Sequence, residues 1–243
     1  MQAFESVSTW RQPMPPPASA ERTALIATVA GRIAEIGPGR LRVAVDGRTG
    51  AGKTSFGHEL AAALREQGRP TLRASFDDFK HPWRHAREHG YDRVSGEGYY
   101  RNAYDFRAAR DPLLGPAGPS GTGRVALCAF DPLTGEDHRG LTVSAPPGAV
   151  LIVDSVFAFR PEYDGHWEYR IWLDVDAETA LRRGIARDSA AEGEAEAARV
   201  HRDRYQVAEA IYLAEVHPRA KADVVIDNRD LAHPAITGPP ACR

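Results

Sequence analysis

The chain has very little lysine. Of its 31 basic side chains only Lys53, Lys80 and Lys221 are lysines, so a lysine inside a glycine-rich loop is not an accident of composition. Cysteine is equally scarce. Cys128 and Cys242 sit in no metal or redox spacing and are too few for a disulfide framework. No apolar run reaches the roughly 20 residues that cross a bilayer, and residues 1–20 lack the apolar core of a secretory signal. A reduced, cytoplasmic compartment is the expectation. A dominant charge is missing too. A net charge of −2 over 243 residues gives no global field for gathering nucleic acid or an anionic membrane, and neither is expected as a partner. The 42% hydrophobic share supports a sizeable core, and the length suits one α/β domain better than two.

Residues 1–20, with Pro13 and Pro15 to Pro17, read as a poorly ordered extension. Residues 21–230 read as one domain and 231–243 as a tail. Leu25, Ile26, Val29, Ile33 and Ile36 recur at helical spacing. The alternating stretch 41–46 reads as a strand, 55–67 as a helix, 71–76 as a second strand. The apolar run Ala149-Val150-Leu151-Ile152-Val153-Asp154 suits a central parallel strand. A strand over 170–175, helices over 177–187 and 200–215, and a last strand over 223–227 complete the pattern. Strands alternating with helices predict an α/β fold, a three-layer sandwich with a parallel central sheet and helices on both faces. The stretches 124–130 and 141–144 suit a hairpin within a long insertion, 80–145. That insertion, rich in charge and aromatics, suits an acceptor site or lid.

Between the first strand and helix lies Gly47-Arg48-Thr49-Gly50-Ala51-Gly52-Lys53-Thr54, followed by Ser55. This matches G-x-x-x-x-G-K-[ST], the phosphate-binding P-loop, in its required strand–loop–helix context. Glycines let backbone amides converge on phosphate oxygens, and the helix N-terminus adds partial positive charge. Lys53 supplies a point charge to the outer phosphates, and the Thr54 hydroxyl is a Mg²⁺ ligand candidate. Residues 47–55 are therefore the expected ATP-binding residues.

Asp77 and Asp78 end the second strand, on the side where open α/β sheets bind ligands. Asp154 ends the central strand, where a carboxylate holds the Mg²⁺ hydration shell. Arg183 and Arg187 share a helix face at i,i+4. Their mutual repulsion is relieved either by a transferring phosphoryl group or by Glu178 and Asp188. Tyrosines cluster between Tyr91 and Tyr104 among Arg93, Arg101 and Asp105. That mixture suits either a ring-bearing acceptor or a half-buried helical subdomain. His81, His85 and His89 are spaced like one helix face, with no carboxylate or cysteine to complete a metal site.

Together these residues resemble the uridine kinase branch of P-loop kinases, related to phosphoribulokinase and pantothenate kinase, over roughly residues 41–228. Phe76-Asp77-Asp78-Phe79-Lys80 is similar to the segment carrying that family's general base, which implies Asp77 as base with Asp78 nearby. Asn102-Ala103-Tyr104-Asp105 resembles an Asp-Ala-Phe-Asp segment and implies that Asp105 touches the acceptor. Asp154-Ser155-Val156-Phe157, Arg183/Arg187/Asp188 and Ala222-Asp223-Val224-Val225-Ile226 match three further segments. The stretch 130–139 resembles a nucleoside-reading segment but carries Phe130 for tyrosine and a displaced His138/Arg139 pair.

The resulting expectation is an ATP:hydroxyl phosphotransferase. Asp77, Lys53, Arg183 and Arg187 are catalytic. Thr54 and Asp154 hold Mg²⁺. Asp78, Tyr100, Tyr104, Asp105, Phe130, His138 and Arg139 contact the acceptor, a small hydroxyl compound with pyrimidine nucleosides first. Another alcohol (pantothenate, a sugar, an antibiotic) or a nucleotide-binding module without turnover stays open, as does a homo-oligomer. A guanine-reading Asn-Lys-x-Asp motif is absent.

Overall fold

The computed structural model describes residues 6–10 and 14–237. Its main sheet has six strands: β1 (Leu41–Gly47), β2 (Thr71–Ser75), β5 (Val150–Ser155), β6 (Tyr169–Asp174), β7 (Val224–Asp227) and β8 (Ala235–Ile236). They run in the order β2-β5-β1-β6-β7-β8. All neighbours are parallel except β7 and β8. The expected last strand, 223–227, is therefore followed by one more. The tail contributes β8, pairing Ile236 with Ile226, and 238–243, with Cys242, lie outside the described residues.

Alternation along the buried strands divides the core in two. Val43, Val45, Val150 and Ile152 face one cluster, which α1 (Ala20–Glu35) and α2 (Lys53–Glu66) close with Ile33, Phe56, Leu60 and Leu64. Ala44, Leu151 and Val153 face the other. That layer is built from the insertion, including α4 (Gly96–Asn102), α5 (Phe106–Ala109) and α6 (Gly115–Ala117), and from α9 (Val207–Val216); the short α3 (Trp83–Glu88) lies outside this cluster. Burying strands on both faces is what the continuous apolar runs require. Between β6 and β7 run α7 (Ala177–Glu192), α8 (Glu194–Val200), α9 and α10 (Pro218–Lys221). A π-helical stretch, His201–Gln206, joins α8 to α9 within the expected 200–215 helix.

The expected hairpin is only two residue pairs long, β3 (Arg124–Val125) with β4 (Val143–Ser144). Residues beyond it are drawn elsewhere: the Ala129 and Phe130 amides donate to the Asp78 carbonyl. Residues 6–10 also depart from a free extension. Ser8 is buried, and the Thr9 amide and hydroxyl donate to Asp131 at 2.6 and 2.9 Å. At the other end of that extension Ser19 caps α1, which begins at Ala20, and 1–5 and 11–13 lie outside the described residues. Among the described residues no helix is long and apolar enough to cross a membrane.

Parallel register brings the functional ends together. Val45 pairs with Asp154, and Ser75 pairs with Asp154 from the other side. The phosphate loop, Asp77 and Asp154 thus meet at the carboxyl edge of three adjacent strands, where ligands bind in open α/β sheets.

Candidate active site

The loop after β1 is shaped by glycines whose places nothing larger can take. Gly50 has φ +85°, and a Cβ there would lie 2.4 Å from the Ala180 carbonyl oxygen of α7. Gly52, at φ +89°, is the residue from which α2 starts. Lys53 curls over the loop, its ammonium donating to the Arg48 carbonyl at 2.9 Å. Burial pushes that ammonium below the usual lysine range, against the pull of Asp46, Glu209 and Asp154. Thr49, Gly50, Gly52, Lys53, Thr54 and Ser55 line a cavity of about 290 Å³. Gly47 and Ala51 are buried beneath it. The Arg48 side chain does not enter it: it turns to Glu209 at 3.2 Å. Backbone is what that position offers a phosphate.

Asp154 forms the floor. The Thr54 hydroxyl donates to it at 2.8 Å, the Ser75 hydroxyl at 3.3 Å, and Arg73 is ion-paired to its other oxygen. Hydroxyl and carboxylate oxygens beside a phosphate loop are the hard donors that Mg²⁺ selects. The residues present therefore fit MgATP, with Thr54 and Asp154 to hold the ion.

Asp77 stands in a 3₁₀ turn after β2, Phe76–Phe79, which Ser75 caps. Its carboxylate is 2.8 Å from Lys80 Nζ, and the Tyr104 hydroxyl donates to it at 3.4 Å. Desolvation in the cleft pushes the Asp77 carboxyl up. Lys80, with Lys53 and Arg187 beyond it, outweighs that and holds it below the ordinary carboxylate range. Burial pushes the Tyr104 phenol well above its ordinary value, so it remains a donor. Asp78 faces the other way. It is buried, takes a hydrogen bond from the Ser6 hydroxyl at 3.3 Å, and is pushed by burial up to about 7.

A second cavity, of about 530 Å³, opens beside the first. The two share Asp77, Lys80, Tyr99, Arg187 and Tyr205. Phe130 lines the second cavity and Arg183 the first. Arg183 reaches there by tying α7 to the Asn228 and Arg229 carbonyls at 3.0 and 2.5 Å. Arg187 is paired with Asp188 at 2.6 Å.

Several expected acceptor residues lie elsewhere. Tyr100 is 2% exposed and packs edge-on against Phe157. It belongs to the subdomain core, the alternative that its helical spacing had left open. Asp105 and Arg139 line a separate cavity of about 920 Å³. Asp105 caps α5 through the Ala108 amide, and Arg139 is paired with Asp137. His138 is buried, 3.4 Å from Glu136, and Asp78, as described, looks away. His81 precedes α3, whose bounds are Trp83–Glu88, so the three histidines do not form one helix face.

Three supports of the site had no signal in the sequence. Asp46, fully buried at the end of β1, accepts from the Gly47 amide at 2.7 Å and the Tyr212 hydroxyl at 2.5 Å. Burial raises its carboxyl to about 7. Glu209 of α9 accepts from the Thr49 amide at 2.7 Å. Arg73 pairs with Asp154 from 81 positions away.

No protein-family model matches the chain, and no curated protein matches it in sequence. Solved structures do resemble it. A possible uridine kinase from Bacillus stearothermophilus shares 22% identity, covering 84% of this chain and 96% of that one, with a TM-score of 0.61. A candidate fructose transport system kinase from Silicibacter sp. TM1040 shares 24% identity over 76% and 93%, TM-score 0.60. A D-glycerate 3-kinase from Cryptococcus neoformans shares 12% over 88% and 99%, TM-score 0.52. The chain thus shares its fold, a mostly parallel sheet with helices on both faces, with these three structures.

Proposed function

We propose that the chain is an ATP-dependent phosphotransferase that moves the γ-phosphoryl group of MgATP to a hydroxyl of a small molecule. The observation that carries this is the shared wall between the two cavities, on which Asp77 is the one carboxylate among the lining residues. A nucleotide switch has no use for a carboxylate placed between a phosphate loop and a second cavity. That the resembling structures bear kinase titles supports the same reading.

The acceptor oxygen attacks the γ-phosphorus as the bond to the bridging oxygen of ADP breaks. The acceptor's proton passes to the Asp77 carboxylate, which Lys80 keeps ionised. Lys53, Arg183, Arg187 and the loop amides hold the phosphates in place as charge spreads over the transferring group. Thr54 and Asp154 would hold Mg²⁺, which would supply charge neutralisation at the phosphates. The protein's share is positioning and electrostatics.

Acceptor-dependent ADP release from MgATP tests the reading. Nucleotide binding without turnover on any acceptor would leave a binding module instead. The finer expectation of a pyrimidine nucleoside draws on the sequence resemblance and on Phe130, the one member of the 130/138/139 set that lines the acceptor cavity. Turnover of uridine or cytidine tests it.

A further inference from the structure

The acceptor cavity holds an excess of unneutralised positive charge. Arg84 and Arg87 project from α3 into its lining, exposed and with no carboxylate partner among the described residues. Arg93 lies in the same wall, 6% exposed. It is stacked 4.3 Å over the Trp83 ring and bonded to the His81 carbonyl, and its buried Nε has no partner. Arg204, carried in by the π-helical stretch, bonds the Val94 carbonyl at 2.9 Å and has no carboxylate partner among the described residues.

The carboxylates of the lining are already engaged, Glu192 apart. Asp77 is matched by Lys80, and Asp188 by Arg187 and His201. Asp131 is saturated by Thr9 and by the Leu133 and Thr134 amides, each at 2.9 Å. Those neutral donors keep Asp131 ionised without cancelling its charge. Among the described residues of the lining, four guanidiniums without a carboxylate partner therefore face two carboxylates without a cationic one, Asp131 and the exposed Glu192, which leaves positive charge in excess. Like charges gathered in a partly desolvated cavity repel, and a neutral ribose or pyrimidine would leave that repulsion in place. The fork of an arginine matches the two oxygens of a carboxylate or phosphate.

We infer that the hydroxyl acceptor is an anionic alcohol, carrying a phosphate or carboxylate group that Arg84, Arg87, Arg93 and Arg204 hold while its hydroxyl faces Asp77. This rests on the phosphotransferase reading above and names its acceptor class. It replaces the neutral nucleoside as the first acceptor to try.

Matched pairs differing in charge test it: ribose 5-phosphate against ribose, and glycerate against glycerol, with uridine and cytidine alongside. ADP release should favour the anionic member of a pair by about a hundredfold or more in kcat/KM, the phosphate and carboxylate pairs distinguishing the two groups. An Arg84→Gln/Arg87→Gln double variant should raise the acceptor KM about tenfold while the KM for MgATP stays unchanged. Preferential turnover of a neutral compound overturns the anionic class and leaves the phosphotransferase standing. A second measurement separates the two failures: orthophosphate binding with the P-loop saturated by a nonhydrolysable MgATP analogue. Binding equally strong in wild type and double variant overturns the anion site. Binding weakened by the variant, with no ADP released on any acceptor, keeps the anion site and overturns the phosphotransferase.

Discussion

Lys80 Nζ stands 2.8 Å from Asp77 Oδ1, on the wall common to the two cavities. The pair sets the protonation of the carboxylate proposed to take the acceptor's proton. Burial works against both charges, and each is held ionised by the other: the Lys80 ammonium is raised above the usual lysine range, the Asp77 carboxyl lowered. Replacing Lys80 with methionine removes the larger part of what holds Asp77 down. A base must be deprotonated to act, so the acid limb of the kcat–pH profile should move to higher pH in Lys80→Met. A limb that stays put would show that Lys80 does not tune the base.

Asp77 and Asp78 are neighbours in sequence with opposite surroundings, one in the cleft, the other buried behind Ser6. Asp77→Asn should lower kcat by roughly 10²- to 10⁴-fold with nucleotide binding retained. Asp78→Asn should change kcat far less, because a carboxyl raised to about 7 by burial and turned from both cavities has no reacting atom in reach. The reverse ranking of the two variants would move the base to Asp78.

Lys53→Ala should lower turnover by roughly 10²- to 10³-fold with an unchanged melting profile, since its ammonium bonds the loop rather than the core. Thr54→Ala removes the hydroxyl that meets Asp154 at 2.8 Å. It should raise the Mg²⁺ concentration needed for half-maximal rate, read from a titration at fixed ATP. Normal Mg²⁺ dependence in that variant would separate Thr54 from the metal.

The donor half of this site was legible because its physics is local. A glycine loop, a lysine and a threonine within eight positions must converge wherever a strand feeds a helix, and Asp154 stood out at the end of the most apolar run. The supports come from contacts between distant positions, which leave no spacing to read: Glu209 reaches Thr49 across 160 positions and Tyr212 reaches Asp46 across 166. On the acceptor side, residue type misled. Tyr100 sits among charged neighbours like a ligand-binding residue, yet its helix turns it into the core against Phe157. Asp105 matched a family segment and became a helix cap. The arginines that dominate the cavity, Arg84 and Arg87, follow no motif and gain their meaning only from the carboxylates they lack.

Asp46 makes stability depend on pH in a calculable direction. Its carboxyl rises from the ordinary 3.8 to about 7 in the folded chain, so the folded state binds a proton that the unfolded state has released. The stability this contributes is fully present below about pH 4 and is lost as pH rises through about 7, on the order of 4 kcal/mol in all for a group this buried. Asp46→Asn cannot titrate, while the other titrating groups, Asp78 with its carboxyl also raised to about 7 among them, are common to both proteins and cancel in the difference. Denaturant unfolding at pH 5 and pH 8 should therefore show wild type losing about 2–3 kcal/mol relative to Asp46→Asn. A difference independent of pH would mean that Lys53 keeps Asp46 ionised throughout. The strand end behind the phosphate loop would then be a buried ion pair. A protonated Asp46 instead leaves the Lys53 charge for phosphate.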